Sequence, residues 1–247
     1  MDNKNNFKTV NLLGFDINTF CMSDALNYGI DLINSRKGGH VVTINPEMIQ
    51  CAKNNSELKD IIKNAELVLP DGVGIKLGLM LKKEKINRIA GVEFAFGMLK
   101  KCAENKIPVA LIGSKPHVIS QAVKNLIENI PELKIVYYHN GYFSDDERVI
   151  NELKRNVPKF VLVALGSPKQ ELFIQKARKE LPVSLMIGVG GSFDVWSGYV
   201  KRAPEIYQKL GLEWLYRTVK EPSRFKRIFP ALPKFMFRVL KEDVLTR

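Results

Sequence analysis

Short apolar segments alternate with stretches of helical periodicity between Thr9 and Val189, and this alternation constrains the fold more than any other feature of the sequence. Seven segments have the length and composition of buried strands. They cover residues 10–13, 40–44, 66–69, 108–112, 134–138, 160–165 and 183–187. Strands separated by helices are typical of βαβ units, because parallel strands need a long crossover connection. We therefore predict an α/β fold with one mainly parallel sheet and helices on both faces.

Three local patterns predict where helices begin between these strands. Ser23 precedes apolar residues at helical spacing and is a candidate N-cap. Asn45 and Pro46 fit the N-cap and the first helical position. Ser144 has Glu147 three residues later, which is the pattern of a capping box. The helices predicted from these patterns fall between the predicted strands.

The pattern changes after Gly191 to helical segments interrupted by prolines. From residue 201 onwards the chain has twelve basic and five acidic residues, and the basic ones alternate with aromatic and aliphatic ones. We predict an α/β domain over residues 1–198 and a basic amphipathic appendage over residues 199–247. Such a helix either packs its apolar side on the domain or lies in a membrane interface.

The charge of the whole chain predicts an anionic partner. Lys and Arg number 38 against 26 acidic residues, a formal net charge of +12 over 247 residues. Nucleic acid, a membrane surface and phosphorylated substrates are the classes of partner that such a charge attracts. The composition is otherwise that of a globular protein, with 45% hydrophobic residues, which excludes collagen-like and wholly disordered chains.

The sequence also predicts where the protein works. Its longest run without a charged residue has thirteen positions, 181–193, too short to cross a bilayer. The first residues are polar and lack the apolar core of a signal peptide. The three cysteines are far apart in the sequence and form no metal-binding pattern, which fits reduced thiols. We expect a cytoplasmic protein without a structural metal.

Polar residues directly after the predicted strands are the candidates for the active site, because ligands of parallel sheets bind at the carboxyl ends of strands. Four such segments are expected to converge on one crevice. Asp71 follows one strand and precedes two glycines, so its carboxylate is a candidate general base. The alternative is that Asp71 only caps the next helix.

The segment 188–194 follows the last predicted strand and is a candidate phosphate loop. Its glycines, among them Gly190 and Gly191, would let backbone amides approach an anion just before Ser192 and Asp194. The alternative is a tight turn leading into the appendage. A bound diphosphate also needs fixed cations, and the candidates are the arginines of the appendage, since arginine binds phosphate oxygens bidentately. These are Arg217, Arg224 and Arg227, for which the alternative is a solvated basic face.

Several other chemistries lack their sequence patterns. The glycines at 72, 74 and 78 are spaced one residue too widely for a dinucleotide fingerprint, which makes an NAD-dependent enzyme a weaker hypothesis. The chain also has no P-loop, no nucleophile elbow, no zinc-protease motif and no D-x-D pair to hold a metal against a diphosphate. We therefore predict no metal and no cofactor.

Seven motifs, in order along nearly the whole chain, resemble the WecG/TagA/CpsF glycosyltransferases of bacterial cell-envelope synthesis. They are TINPE at 43–47, PDGVG at 70–74, RIAG at 88–91, HNGYF at 139–143, ALGSPKQE at 164–171, the glycine loop at 188–194 and KRAP at 201–204. The resemblance implies a Rossmann-like fold and metal-independent, inverting transfer of an N-acetylmannosamine-type sugar. It implies UDP-N-acetylmannosamine as donor and N-acetylglucosamine-diphospho-undecaprenol as acceptor, in teichoic acid linkage-unit synthesis.

The same resemblance assigns roles to individual residues. Asp71 matches the proposed catalytic base of the family. Substrate-pocket residues correspond to Thr43, Asn45, Arg88 and Gln170, and the three arginines named above match an appendage that closes over the pocket. The protein is expected to associate peripherally with the anionic inner face of the membrane and to bind no nucleic acid, whereas self-association is left open.

Alternatives remain open. The resemblance also allows another UDP-sugar as donor, such as the uronic acid form of N-acetylmannosamine or a capsule sugar. More distant alternatives are an NAD-type oxidoreductase and a nucleic-acid-binding protein attracted by the positive charge. Binding of UDP but not NAD separates the first of these from a glycosyltransferase.

Overall fold

The structure is a computed structural model that describes residues 8–84, 86–204, 207, 215–216 and 225–244. The chain divides into two compact units. The first contains Met1–Cys21, Thr43–Ala90 and Arg202–Arg247, and the second contains Met22–Val42 and Gly91–Lys201. The predicted division into a catalytic domain at 1–198 and an appendage at 199–247 stays a prediction.

The described strands are short and mostly buried. They are β1 (Thr9–Leu12), β2 (Phe15–Asn18), β3 (Gly39–Ile44), β4 (Leu67–Pro70), β5 (Val109–Gly113), β6 (Ile135–His139), β7 (Phe160–Ala164) and β8 (Leu185–Gly188). Six of them form one sheet in the order β4-β3-β8-β7-β5-β6. The pairs β3–β8, β8–β7, β7–β5 and β5–β6 are all parallel. The predicted α/β, Rossmann-like class with a mainly parallel sheet is confirmed.

Helices occupy the connections that the sequence pattern assigned to them. They are α1 (Met22–Asn34), α2 (Pro46–Lys53), α3 (Ser56–Lys63), α4 (Val73–Leu81), α5 (Gly91–Glu104), α6 (Pro116–Asn129), α7 (Asp146–Asn156), α8 (Lys169–Glu180), α9 (Ser192–Trp196) and α10 (Phe225–Arg238). A π-helical segment, Val239–Val244, continues α10.

Helices cover both faces of the sheet in the second unit. Met186 belongs to a buried cluster with residues of α7 and α8. Its neighbour Leu185 points to the opposite face, because successive strand residues alternate sides. There Leu185 lies near Gly29 of α1, and α1 packs against α5. Burial on both faces explains why β5 and β7 read as unbroken apolar runs in the sequence.

The first predicted strand forms, but it does not pair with the strands of the parallel sheet. The segment predicted over 10–13 is not part of the parallel sheet, since β1 pairs antiparallel with β2 in a separate two-stranded sheet. The hairpin turns through Leu13 and Gly14, whose φ angles are +52° and +84°. A turn with two positive φ angles usually carries Asn or Gly at its first position. Because leucine stands there instead, the usual turn signal is absent from the sequence, and β2 is not among the predicted strands.

The predicted helix starts have mixed outcomes. Asn45 caps α2 as predicted, with its Oδ1 accepting from the Met48 amide at 3.0 Å. The N-cap of α7 is Asp145 rather than Ser144, because the Asp145 carboxylate accepts from two first-turn amides. Helix α1 begins at Met22, so Ser23 lies inside its first turn. A carboxylate next to a hydroxyl was the better acceptor for the exposed amides.

Helix α10 packs within the first unit. It contacts α2 and α4, and Phe235 and Val239 are fully buried there. The apolar side of the C-terminal segment therefore packs on the protein, while Phe237 remains 66% exposed. Within the described ranges, no helix has both the length and the hydropathy needed to cross a membrane.

His40 is the one histidine among the described residues that is fully buried, and this gives the fold a pH dependence. Burial, aided by the positive charge of Arg178, lowers the pKa of His40 from 6.5 to about 3. The unfolded chain takes up this proton near pH 6.5 and the folded chain does not, so stability is lost as the pH falls from 6.5 towards 3.

We predict that the wild-type protein loses about 2 kcal/mol of unfolding free energy through His40 between pH 8 and pH 5. His40→Gln, which cannot be protonated, should lack this part of the loss in urea titrations at the two pH values. His117→Gln is the matched control, because His117 is exposed. Equal pH dependence in all three proteins would contradict the assignment.

Candidate active site

In the first unit, the ends of β3 and β4 lie side by side. The Asp71 amide donates to the carbonyl of Ile44 at 2.9 Å. The Ile89 amide donates to the carbonyl of Pro70 at 3.0 Å. These bonds bring the segments that carry Thr43, Asp71 and Arg88 to the same end of the two strands, as the strand-end argument predicts. All three side chains are half-buried.

Asp71 does not occupy the N-cap of the helix that follows it. That position is Gly72, with φ +82° and ψ 155°, and α4 begins at Val73. The N-cap residue of α4 is therefore Gly72, one residue after Asp71. Asn45, in contrast, uses its side-chain oxygen to cap α2.

Gly74 lets the C-terminal helix reach the loop that carries Asp71. A Cβ on Gly74 would overlap Pro46 and come within 2.8 Å of Leu232 Cδ1. Helix α10 therefore packs against the first turn of α4, three residues after Asp71. This contact is the physical link in the first unit between the candidate base and the predicted appendage.

In the second unit, Gln170 joins the loop after β7 to the loop after β8. Its Oε1 accepts from the Gly190 amide at 3.1 Å, and its Nε2 donates to Glu171 Oε1 at 2.8 Å. A Cβ on Gly188 would overlap the Gln170 amide, so a glycine is required there. The predicted residues Gln170 and Gly190 are thus brought together by a direct hydrogen bond.

The glycine loop itself differs from the predicted phosphate cradle. The amides of Val189, Gly190 and Ser192 already donate to protein oxygens, at 2.8, 3.1 and 3.1 Å. The Asp194 carboxylate also lies close to Gly191, 3.6 Å from where its Cβ would be. Occupied amides and a nearby carboxylate both disfavour an anion. The role of this loop in substrate binding stays a prediction.

Glu171 is the residue that sequence reasoning left without a role. The residue is only 2% exposed, and burial raises the pKa of its carboxyl, opposed by hydrogen bonds from Gln170, from the Ser167 side chain and from its own backbone amide. Its second oxygen, Oε2, is buried and has no hydrogen-bond partner among the described residues. The only sequence signal was its place next to Gln170 in the 164–171 motif.

The HNGYF motif at 139–143 also lies at carboxyl ends of strands in the second unit. The Gly141 amide donates to the carbonyl of Ser114, and the Ser114 amide donates to the carbonyl of Ala164, at 2.8 and 3.0 Å. These bonds join the loops after β5, β6 and β7. Tyr142 stands 70% exposed at this edge.

The side chains of the three predicted arginines have no described position. Arg217 and Arg224 lie outside the described residues, and for Arg227 only its backbone position on α10 is described. In the part of the chain that the structure describes, no three His, Cys, Asp or Glu side chains form a group that could hold a metal ion. The prediction of a metal-independent site is not tested by this.

Comparison with known proteins identifies the family. The model of the glycosyl transferase WecG/TagA/CpsF family matches residues 10–247. The chain belongs to this glycosyltransferase family. It is similar to a protein of Bacillus spizizenii, 36% identical over 212 residues, which covers 85% of this chain and 82% of the relative. A Bacillus subtilis protein is 37% identical with the same coverage. Both relatives are named N-acetylglucosaminyldiphosphoundecaprenol N-acetyl-beta-D-mannosaminyltransferase.

Proposed function

We propose that this glycosyltransferase moves N-acetylmannosamine from UDP-N-acetylmannosamine to N-acetylglucosamine-diphospho-undecaprenol, with inversion, as in the synthesis of the teichoic acid linkage unit. Family membership and the names of the two Bacillus relatives support this donor and this acceptor. The observation that carries the proposal is the place of Asp71, a half-buried carboxylate at the carboxyl end of β4, two residues before helix α4, against whose first turn α10 packs.

The reaction needs one base and one stabilised leaving group. Asp71 takes the proton of the acceptor hydroxyl, and the hydroxyl oxygen forms the new bond to the anomeric carbon. The bond between that carbon and the diphosphate oxygen breaks, and its electron pair leaves with UDP. Arg217, Arg224 and Arg227 are proposed to neutralise the leaving diphosphate, since the glycine-loop amides already have protein partners.

The donor is tested with a panel of UDP-sugars and a short-chain N-acetylglucosamine-diphospholipid, followed by mass analysis of the product. UDP-N-acetylmannosamine should give the disaccharide lipid, and the uronic acid donor should give far less. Calorimetry with UDP and with NAD runs in parallel. Binding of NAD and not UDP, with no transfer from any donor, would overturn the proposal.

The surface of the first unit also fits an anionic membrane, where the lipid acceptor resides. On helix α4, three apolar residues have large exposed fractions: 41% for Leu77, 54% for Met80 and 40% for Leu81. The C-terminal segment exposes Phe237 and Leu240 by 66% and 41%. Exposed lysines flank these apolar residues on both elements, namely Lys76, Lys83, Lys234 and Lys241. We propose that this apolar and basic surface binds the membrane peripherally.

We predict that Asp71→Asn lowers turnover by roughly 10²–10⁴, because the amide cannot take the proton of the acceptor. The variant should fold like the wild type, since the substitution keeps the size of the side chain. The matched control is Asp60→Asn, which changes an exposed carboxylate on α3 in the same unit. Turnover near the wild-type value at saturating substrates would remove Asp71 from the role of base.

We predict that EDTA leaves the rate of transfer nearly unchanged, because arginines rather than a metal are proposed to neutralise the diphosphate. The rate is measured after dialysis against EDTA and again after adding back Mg²⁺ or Mn²⁺. A rate that disappears with EDTA and returns with either ion would show that the proposed charge neutralisation is wrong.

We predict salt-sensitive binding to vesicles that contain phosphatidylglycerol and weak binding to neutral vesicles. Met80→Gln combined with Phe237→Gln should weaken binding about tenfold, since two apolar side chains no longer enter the interface. Ile127→Gln is the control, since Ile127 is an apolar residue on α6 of the other unit that is 44% exposed. Point changes are preferred to truncation before Lys201, which would also remove the buried Phe235 and Val239. Equal binding of the double variant and the control would contradict this surface.

A further inference from the structure

Helix α8 begins with two polar side chains that point into the protein. Gln170 is 6% exposed and Glu171 is 2% exposed, although both follow a loop on the surface. Burying polar groups costs free energy unless they form hydrogen bonds. The hydrogen-bond partners of the two side chains therefore indicate their role.

The partners of Gln170 fix the orientation of its amide. The Gly190 N–H is a donor only and lies against Gln170 Oε1 at 3.1 Å. The Glu171 carboxyl oxygen acts as the acceptor for Gln170 Nε2 at 2.8 Å. A flipped amide would place donor against donor at Gly190 and acceptor against acceptor at Glu171. Glu171 thus selects one of the two amide orientations, and that orientation is the one that holds Gly190.

Gly188 confines the Gln170 side chain to this position. The space that a Cβ at Gly188 would fill is taken by the Gln170 amide. Gln170 therefore lies directly against β8 and bonds to the loop that follows it. The loop has a positive φ of +50° at Gly190, so the hydrogen bond that the Gly190 amide donates to Gln170 supports a backbone conformation that most residues avoid.

We propose that Glu171 is a positioning residue: through the Gln170 amide it holds the 190–194 loop in the conformation that binds the nucleotide-sugar donor. The inference rests on the proposed function and on the prediction from the sequence that Gln170 and this loop belong to the substrate site. Glu171 is too deeply buried to contact the substrate itself.

The test is a double-mutant cycle with Gln170→Ala and Glu171→Met, in which methionine fills the volume of glutamate but accepts no hydrogen bond at this strength. KM for the donor, kcat and the dissociation constant for UDP are measured for the four proteins. We expect Glu171→Met to raise KM and the UDP dissociation constant about tenfold and to change kcat less than about twofold. In the Gln170→Ala background the same substitution should add almost nothing.

Two further variants separate positioning from a structural role. Glu171→Gln keeps an acceptor oxygen at the same place, so KM should return to within about threefold of the wild type. Ser184→Ala removes another buried hydrogen bond, from Ser184 to the carbonyl of Pro158, at the amino end of β8. It should lower the melting temperature and leave KM unchanged.

Three results would overturn the proposal. Additive effects of Glu171→Met in both backgrounds would show that Glu171 does not act through Gln170. Unfolding of both Glu171→Met and Glu171→Ala would show that it only supports the core. A wild-type protein that neither binds UDP nor transfers sugar would overturn the proposed function together with this inference, whereas an active wild type with an additive cycle overturns this inference alone.

Discussion

Parallel pairing of buried strands is the constraint on which the rest of this structure depends. Parallel neighbours run in the same direction, so the loops after them emerge at one edge. In the second unit Val163 of β7 pairs with Gly188 of β8, and both strands end within one residue of that pair. Gln170 at the start of α8 and Gly190 after β8 are therefore neighbours, although they lie twenty residues apart in the chain. The hydrogen bond between them follows directly from the strand register.

Two glycines allow other side chains to pack directly against the backbone next to the strand ends. Gly188 admits the amide of Gln170 against β8, and Gly74 admits Leu232 of α10 against α4. At each position a methyl group would occupy space that another side chain fills. Protein interiors have few voids, so such a contact resists any larger residue. The two glycines thus define, each in its own unit, how closely a loop at the candidate active site is covered.

Most of the sheet could be predicted from the sequence, because buried strands show as apolar runs whatever their neighbours. The strand predicted over 40–44 differs by one residue from β3, and that over 183–187 by two residues from the start of β8. The hairpin could not be predicted, since Leu13 at φ +52° leaves no trace in composition or periodicity. The position of Asp71 directly after a buried strand could be predicted too, because β4 ends at Pro70. Glu171 could not, because a charged residue near the start of a helix is normally solvated, and only the packing of α8 shows that it faces inward.

Two carboxyls that follow β4 and β7 in the chain differ in burial, and the roles proposed for them differ accordingly. Asp71, the proposed base, is half-buried directly after β4. Glu171 is 2% exposed, with one oxygen bonded to Gln170 and the other enclosed. A base must exchange protons with substrate and solvent in every cycle, whereas an orienting acceptor must keep one hydrogen bond unchanged. The burial that disqualifies Glu171 as a base is therefore what suits it to hold an amide in place.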